Sequence, residues 1–265
     1  MNRFDLAGKV ACVSGAASGL GRAAAIALAE HGADLMLLDL DEAGLHRTSD
    51  DIQRLGRRVV VHSCDVGDQE RIAAAFELLD RSFGRIDFLA NVAGEGILCD
   101  PASISAEQVQ AVFRNLVFGR FRMCQEAGRR MLIEGRGSIV NIGSLASHSA
   151  LGRGHIAYSM AMGAVVQMTR ELSVEWASRG VRVNAILPAQ VVNPSLEKRM
   201  AVDPTLEGRW LTGIPRGRLG RPTDIQGLMV LLASDASDWI TGTTIPMDGG
   251  NLAMNAGGTI GRPSE

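Results

Sequence analysis

Three glycines near the start of the chain have the spacing that a phosphate-binding turn requires. The segment Ser14–Gly21 follows a short apolar run and precedes a helical pattern, with glycines spaced as GxxxGxG. Gly15 permits a tight turn, Gly19 lets a pyrophosphate approach the backbone, and Gly21 lets the helix pack on the strand. The free N–H groups and the positive end of the helix dipole would then bind the phosphates. The alternative is an ordinary glycine-rich turn between a strand and a helix.

An acidic residue at the end of the second apolar run bears on which nucleotide such a turn would bind. Asp39 lies 18 residues after Gly21. A carboxylate there accepts hydrogen bonds from the adenosine ribose hydroxyls and repels a 2′-phosphate. The neighbouring positions from which an Arg or Lys would neutralise that phosphate are occupied by Ala16, Ala17, Leu40 and Asp41. The sequence therefore predicts NAD as the cofactor, the alternative role of Asp39 being a helix N-cap or a solvated strand end.

Short apolar runs alternate with longer helical patterns along the whole chain, which predicts one α/β domain over residues 1–265 with a parallel sheet covered on both faces. The predicted strands are Lys9–Ser14, Leu35–Asp39, Val59–Cys64, Ile86–Asn91, Ser138–Ile142, Val181–Leu187 and Thr243–Met247. The longest predicted helices are Ser105–Glu134 and Tyr158–Arg179. Residues 194–217 have weak periodicity and three prolines, so we expect a mobile substrate flap there, and residues 251–265 form a glycine-rich tail.

Composition and charge exclude several classes of protein. Hydrophobic residues make up 46% of the 265, so the chain can bury a large core. Its 27 basic and 29 acidic residues form no basic block, so neither nucleic acid nor a membrane is an expected partner. Met1–Leu6 is too short and polar for a signal peptide, and we expect a cytoplasmic protein. The four cysteines show no metal-ligand spacing, which predicts reduced core residues and no metal site.

A series of further motifs, in order along nearly the whole chain, resembles the short-chain dehydrogenase/reductase family. The matching segments are Ser14–Gly21, Cys64–Val66, Asn91–Gly94, Gly137–Ser144, Tyr158, Arg182–Pro188, Gly220–Pro222, Ile240–Gly242 and Asp248–Gly250. The resemblance implies a doubly wound Rossmann sheet of seven parallel strands in the order 3-2-1-4-5-6-7. It also implies that a hydride moves between nicotinamide C4 and the carbon of an alcohol or carbonyl group.

The resemblance also implies roles for individual residues. Tyr158 would be the general acid/base, Ser144 its hydrogen-bonding partner, and Asn115 the asparagine of the catalytic tetrad, although counting along the helix leaves Leu116 as an alternative at that position. The implied cofactor-binding residues are Ser14, Gly15, Ser18, Gly19, Leu20, Gly21, Asp39, Leu40, Asp65, Val66, Asn91, Ala93, Gly94, Tyr158, Met162, Pro188, Val191 and Asn193.

The chain departs from the family pattern around this site. The family has lysine four residues after the tyrosine, where this chain has Met162, and the spacing from Ser144 to Tyr158 is 14, one longer than usual. The usual Pro-Gly is Pro188-Ala189, and Asn193 stands where a threonine is expected. The lysine binds the nicotinamide ribose and its charge favours the ionised tyrosine, and methionine does neither. These departures together favour a naturally divergent active site.

The sequence as a whole predicts an NAD-dependent oxidoreductase acting on a small secondary alcohol or ketone. Polar residues in the predicted rim, namely Arg153, His155, Gln190, Asn193 and Arg209, favour a polyol or sugar derivative. Two alternatives remain open because of Met162. One is a catalytically silent NAD-binding protein acting as a sensor or oligomer partner, and the other is an enzyme of this fold with non-redox chemistry.

Two long helical segments carry more apolar residues than one buried face needs. They are Val109–Met131 and Ala164–Trp176, with Phe113, Phe118, Phe121, Val165 and Met168 among those residues. The family resemblance implies that these helices pair across a two-fold axis and that the C-terminal strand makes a second contact. We therefore expect a homotetramer, the alternative being that these residues all belong to the core of one chain.

Overall fold

Seven parallel strands form the sheet. The structure is a computed structural model that describes residues 2–254. The strands are β1 Val10–Ser14, β2 Asp34–Asp39, β3 Val59–Ser63, β4 Phe88–Asn91, β5 Gly137–Ile142, β6 Val181–Pro188 and β7 Thr244–Met247. They pair in the order β3-β2-β1-β4-β5-β6-β7, and every neighbouring pair is parallel. The predicted doubly wound Rossmann sheet is confirmed, with the strand order reversing between β1 and β4.

Helices connect the strands and cover the sheet. They are α1 Gly19–Glu30, α2 Glu42–Arg54, α3 Gln69–Phe83, α4 Ala106–Phe113, α5 Arg120–Glu134, α6 Ile156–Ala177, α7 Pro194–Val202, α8 Leu206–Leu211 and α9 Gln226–Ala233. A π-helical segment, Arg114–Gly119, joins α4 to α5 without a break in the chain direction. The single helix predicted from Ser105 to Glu134 therefore contains one segment with a different helical phase. Among residues 2–254 no helix has the length and apolar content needed to span a bilayer.

The core lies on both faces of the sheet because alternate residues of a strand point to opposite sides. In β1, Ala11 and Val13 pack in one buried cluster with residues of α1 and α9. Cys12, between them, packs in a second cluster with residues of α3 and α5. The apolar residues of β2 divide between the two clusters in the same way. This double burial explains why the strands have continuous apolar runs instead of polar alternation.

Capping residues fix the boundaries of several helices. The side chain of Asp41 accepts a hydrogen bond from an N–H of the first turn of α2, and Asp68 does the same for α3. Gly84, at a φ of 71°, ends α3. The largest consequence for the site is that α6 begins at Ile156, so Tyr158 lies within its first turn and does not begin the helix.

The segment 194–217, predicted as a flap, contains α7 and α8. Asn193 accepts a hydrogen bond from the Leu196 N–H at 2.9 Å, and Pro194 takes the first helical position, where its missing N–H costs nothing. Four apolar residues of the segment, Leu196, Leu206, Trp210 and Ile214, form a small cluster with Leu219, which follows the segment. Its weak periodicity therefore reflects two short helices, which the sequence interpretation did not predict.

The chain turns back after β7. The Asn251 side chain donates a hydrogen bond to the Gly213 carbonyl at 2.6 Å, and the Leu252 N–H donates to Asp248 at 2.8 Å. The Asn251 bond holds the first residue of the predicted tail against the segment 194–217, and the Leu252 bond closes the turn that follows β7. The remainder of that tail, residues 255–265, lies outside the described residues.

Candidate active site

The glycine turn after β1 is fixed against the end of β4. The Ser14 hydroxyl accepts hydrogen bonds from the backbone N–H groups of Val92 at 3.0 Å and Ala93 at 3.2 Å. Gly15 has a φ of 71°, and a Cβ there would lie 2.9 Å from the Ala93 nitrogen. A Cβ on Gly21 would overlap the Gly15 carbonyl. Both glycines are therefore required by close backbone approach, as the spacing predicted.

The start of α1 is suited to bind an anion. Ser18 occupies the N-cap position but its side chain makes no capping hydrogen bond, and the first turn contains no acidic residue. The N–H groups of that turn therefore have no side-chain acceptor within this structure. A Cβ built on Gly19, where φ is 52°, meets nothing within 4 Å, so the turn opens onto free space. These features fit the pyrophosphate of a dinucleotide.

The Asp39 carboxylate lies at the end of β2 and is held by three backbone N–H groups. It accepts from Ala17 at 3.0 Å, from Leu40 at 2.7 Å and from Asp41 at 3.1 Å. The bond to Ala17 ties the carboxylate to the glycine turn. A carboxylate fixed in this way can accept further hydrogen bonds from a ribose placed beside the turn. The N-cap alternative does not apply, since Asp41 caps α2.

The next two strand ends complete the nucleotide side of the site. The Asp65 side chain accepts a hydrogen bond from the Gly67 N–H at 2.8 Å, which fixes the loop that contains the buried Val66. Asn91, buried at the end of β4, donates to the Asn141 side chain on β5 at 2.9 Å. That bond joins the two central strands directly beneath the site.

A cavity of about 440 Å³ lies at the carboxyl ends of the central strands, and both Ser144 and Tyr158 line it. Ser144 follows β5 and accepts a hydrogen bond from the Ala146 N–H at 3.2 Å, which leaves its own O–H free to donate. The ring of Tyr158 lies edge-on to His155, with centroids 6.3 Å apart. The cavity is also lined by predicted residues Leu20, Gly94, Pro188, Val191 and Asn193. The predicted serine and tyrosine are thus brought together beside the glycine turn.

Asn115 and Leu116, the two alternatives for the tetrad asparagine position, lie at the helical wall of the cavity. Leu116, which is fully buried, lines the cavity, whereas Asn115 does not. The Asn115 side-chain oxygen is buried without a hydrogen-bond partner and lies near Gly94. Both residues belong to the π-helical segment, whose extra residue per turn changes which side chains face the cavity. Asn115 therefore lies beside Gly94, which lines the cavity, and Leu116 lines the cavity itself, so the assignment of the tetrad asparagine to Asn115 stays a prediction.

Met162 lies one turn after Tyr158 on α6 and does not line the cavity. It is 1% exposed and packs in an apolar cluster that includes Val112, Leu116 and Val165. Its thioether brings neither a positive charge nor a hydrogen-bond donor toward Tyr158.

Gly96 and Arg120 are among the cavity residues that the sequence interpretation missed. Gly96 contacts the tyrosine so closely that a Cβ there would lie 2.6 Å from Cδ2 of Tyr158. Arg120, the first residue of α5, is 3% exposed and donates hydrogen bonds to the carbonyl groups of Ala93 and Ile142. The only signal for Gly96 was a second glycine soon after Gly94, and an arginine within a helical pattern gave no sign of burial.

The open side of the cavity is rich in cations. Arg153 and Arg199 both line it, and burial together with the charges of Arg199 and Arg209 lowers the pKa of Arg153. The Gln190 side-chain oxygen and the Trp210 indole nitrogen also belong to cavity residues, and both are buried with no hydrogen-bond partner among residues 2–254. This side therefore offers positive charge and unused polar atoms to a ligand.

The loop between β4 and α4 is joined to the loop before α6 beside the cavity. The Cys99 N–H donates to the Gly154 carbonyl at 3.0 Å. Cys99 is half-buried, in contrast to Cys12, Cys64 and Cys124, which belong to the core as predicted. All four cysteines are free thiols, and no group of acidic, histidine or cysteine side chains within residues 2–254 has the arrangement of a metal site.

Comparison with known proteins identifies the family. Residues 15–251 match the family model described as enoyl-(acyl carrier protein) reductase. D-threitol dehydrogenase of Mycolicibacterium smegmatis is 39% identical over 250 residues, covering 93% of this chain and 94% of that protein. The chain belongs to the short-chain dehydrogenase/reductase family. The 2-dehydro-3-deoxy-D-gluconate 5-dehydrogenase of Dickeya dadantii is 35% identical over 254 residues, which are 96% of this short-chain dehydrogenase and 99% of the relative.

The fold agrees with that membership. The crystal structure of a short-chain type dehydrogenase/reductase from Mycobacterium marinum superimposes with a TM-score of 0.86 at 30% identity, covering 94% of this chain and 97% of that one. As a short-chain dehydrogenase, the protein is an oxidoreductase that uses a nicotinamide dinucleotide. The glycine turn and the uncapped start of α1 provide the phosphate site that such a cofactor needs.

Proposed function

We propose that this short-chain dehydrogenase interconverts the secondary alcohol and ketone of a polyol or sugar derivative with NAD(H). The observation that supports it best is the convergence of Ser144 and Tyr158 on one cavity beside the glycine turn. Asp39 supports NAD, because its fixed carboxylate would lie close to a 2′-phosphate and repel it.

Tyr158 and Ser144 have different roles at the substrate oxygen. In the oxidation direction, ionised Tyr158 takes the proton of the substrate hydroxyl, and in reduction the phenol returns it. Ser144 donates a hydrogen bond to the same oxygen and holds it in place while its charge changes. The nicotinamide, when bound, accepts or gives the hydride at the substrate carbon.

The position of Met162 makes this site atypical for its family. We place Met162 where the family has its lysine, because it follows Tyr158 by one helical turn. Its burial among apolar side chains means that neither the nicotinamide ribose nor the tyrosine receives a cation from this position. The groups proposed to act directly on the substrate oxygen are Ser144 and Tyr158, and Asn115, beside Gly94 at the cavity wall, keeps its predicted place in the tetrad.

The polar atoms of the cavity favour a substrate with several hydroxyl groups. The buried oxygen of Gln190 can accept a hydrogen bond and the indole N–H of Trp210 can donate one. The similar proteins act, by their names, on threitol and on 2-dehydro-3-deoxy-D-gluconate, both polyhydroxylated. Sites built to hydrogen-bond a substrate hydroxyl reject analogues that lack it.

A sugar acid is a second candidate substrate class. Arg153 and Arg199 line the open side of the cavity close enough for their charges to repel one another. A carboxylate bound between them would relieve this repulsion and accept charge-assisted hydrogen bonds. This candidate differs from a neutral polyol by one anionic group at the end of the chain away from the reacting carbon.

The test is NADH formation with neutral polyols and with sugar acids of matched length, from neutral to alkaline pH. Tyr158→Phe should abolish turnover while leaving NAD binding intact, and Ser144→Ala should lower kcat. Arg153→Gln should raise KM for the acids only. NAD binding without turnover on any member of the panel would favour a silent NAD-binding protein. Full activity of Tyr158→Phe would show that another residue transfers the proton.

A further inference from the structure

Arg120 is a buried cation at the wall of the active-site cavity. Its guanidinium donates to the carbonyl of Ala93, after β4, at 3.1 Å and to the carbonyl of Ile142, at the end of β5. Its Nε is buried with no acceptor in the part of the chain that the structure describes. Carbonyl groups solvate the guanidinium but do not cancel its charge, so a net positive charge remains in a low-dielectric environment.

Tyr158 lines the same cavity as Arg120 and, when ionised, can balance that charge. Burial lowers the pKa of Arg120 to about 10, and the neighbouring Tyr158 and Cys124 oppose that lowering. Burial also raises the pKa of the Cys124 thiol to about 12, so this thiol stays protonated at neutral pH while Arg120 stays charged. The other ionisable groups that line the cavity are Glu95, Arg153, His155 and Arg199.

We propose that Arg120 supplies the fixed positive charge that stabilises the ionised form of Tyr158, in place of the lysine that the family carries where this chain has Met162. Arg120 acts through Tyr158 as a positioning residue. Its charge comes from α5, whereas the family's lysine would lie on α6, at the position of Met162. The two carbonyl bonds hold the guanidinium in place, so its charge is available without reorganisation when the tyrosine ionises. The inference rests on the proposed acid/base role of Tyr158.

The rival explanation is purely structural. Arg120 joins the segment that leads to Gly96, which contacts Tyr158, to the strand that leads to Ser144. A residue with that role alone would affect folding stability and the geometry of the cavity. It would not set the pH at which Tyr158 ionises, and the two explanations therefore differ in a measurable quantity.

The chain permits a direct measurement because Tyr158 is its only tyrosine. The near-ultraviolet absorbance of phenolate, followed against pH, reports this side chain alone and needs no turnover. The variants are Arg120→Gln and Arg120→Met, which remove the charge, and Arg120→Lys, which keeps it. Arg129→Gln, an exposed charge on the same helix, is the matched control. Circular dichroism and Tm establish that each variant is folded, and two neutral variants guard against the failure of one to fold.

We expect both neutral variants to raise the midpoint of the absorbance titration by about one pH unit or more. The reason is that they remove the attraction between the guanidinium and the Tyr158 phenolate. Arg120→Lys should stay close to the parent midpoint, and Arg129→Gln should match it. A lower Tm with an unchanged midpoint in the folded neutral variants would overturn the proposal and leave the structural explanation.

Kinetics in a double-variant cycle provide an independent test. Arg120→Gln should lower kcat at neutral pH by about tenfold and shift its pH profile to higher pH, since the ionised fraction falls tenfold per unit. Met162→Lys should restore most of that loss in the Arg120→Gln background and change the parent less. Equal effects of Met162→Lys in both backgrounds would overturn the proposal. Retained activity of Tyr158→Phe would contradict the proposed function itself, which keeps the two failures distinguishable.

Discussion

The ring of Tyr158 is held on one side by a residue that has no side chain. A Cβ on Gly96 would lie 2.6 Å from the ring, and the backbone of Gly96 has no positive φ that would strain another residue. We therefore expect Gly96→Ala to act by displacing Tyr158, with a fall in kcat of about 10²-fold, as misplacement of a reacting group by about 1 Å can cause. Steady-state kinetics and the substrate KM measure this effect.

A glycine on α9 provides the control. A Cβ on Gly227 would meet nothing within 4 Å, so Gly227→Ala should leave kcat unchanged and stabilise the helix by up to about 1 kcal/mol. A kcat equal to that of the parent in Gly96→Ala would contradict the expectation that the contact with Gly96 positions the ring of Tyr158 for catalysis.

At the same scale, we expect the Asp39 carboxylate to determine which cofactor is bound. Asp39→Asn keeps an oxygen to accept the Leu40 and Asp41 N–H groups but removes the negative charge. We expect the affinity for NADPH relative to NADH to rise about tenfold, equivalent to about 1.4 kcal/mol, as measured by fluorescence titration. Asp50→Asn, an exposed carboxylate on α2, should leave the ratio unchanged. Tighter binding of NADPH than NADH by the parent protein would contradict the assignment of NAD.

Single residues differ in how far the sequence predicts their roles. Gly15, Gly21 and Asp39 were predictable because each serves a local turn whose spacing is visible in the chain. Gly96 and Arg120 were not, since each matters through a partner distant in sequence, Tyr158 and the strand-end carbonyls respectively. An arginine in a helical pattern is usually a solvated charge, and nothing local distinguishes Arg120 from its exposed neighbours.

The π-helical segment between α4 and α5 depends on close contact with the loop after β3. A Cβ on Gly119 would overlap the carbonyl of Val66, so the helix approaches that loop as closely as backbone permits. Gly119→Ala must push the two apart, and we expect a loss of about 1–3 kcal/mol, typical of overpacking, together with weaker NAD binding through Val66. Thermal unfolding and cofactor titration measure the two effects, with Gly227→Ala again as control. An unchanged Tm would mean that this contact is not tight in solution.

At the scale of elements, most of the fold was predictable and the helical wall of the cavity was not. The strands are recognisable in the sequence as continuous apolar runs, because both faces of the sheet are buried. The glycines and caps that end the helices are local signals. The phase change at Arg114–Gly119 is invisible in sequence, which is why Asn115 and Leu116 could not be separated by counting. The helices α7 and α8 are too short for periodicity to distinguish from a loop.

The whole molecule exposes apolar side chains on its long helices, in keeping with the proposed homotetramer. Phe118 is 56% exposed and Phe121 40% exposed, whereas Val165, predicted with them, belongs to the core of the chain. Trp239, just before β7, is 98% exposed at the second predicted contact. We expect light scattering at micromolar concentration to give four times the 28.1 kDa chain mass.

A charged substitution tests which surface makes that assembly. Phe121→Glu should give dimers or monomers, because burying an unpaired carboxylate in an apolar contact is costly. Leu55→Glu, at an equally exposed leucine after α2, should remain tetrameric. A monomeric parent protein would contradict the proposal.

The four thiols differ in burial, and only Cys99, in a loop beside the cavity, is not buried. Burial raises the pKa of the Cys64 thiol to about 11 and that of Cys12 further, so these core thiols resist alkylation in the folded state, as does Cys124. Cys99, bonded through its N–H to the loop before α6, should therefore take a maleimide label alone, while unfolded protein takes four. A fluorophore placed there would follow substrate entry and product departure without any engineered cysteine. Mass spectrometry of the labelled folded protein counts the adducts. More than one adduct would contradict the selective labelling of Cys99.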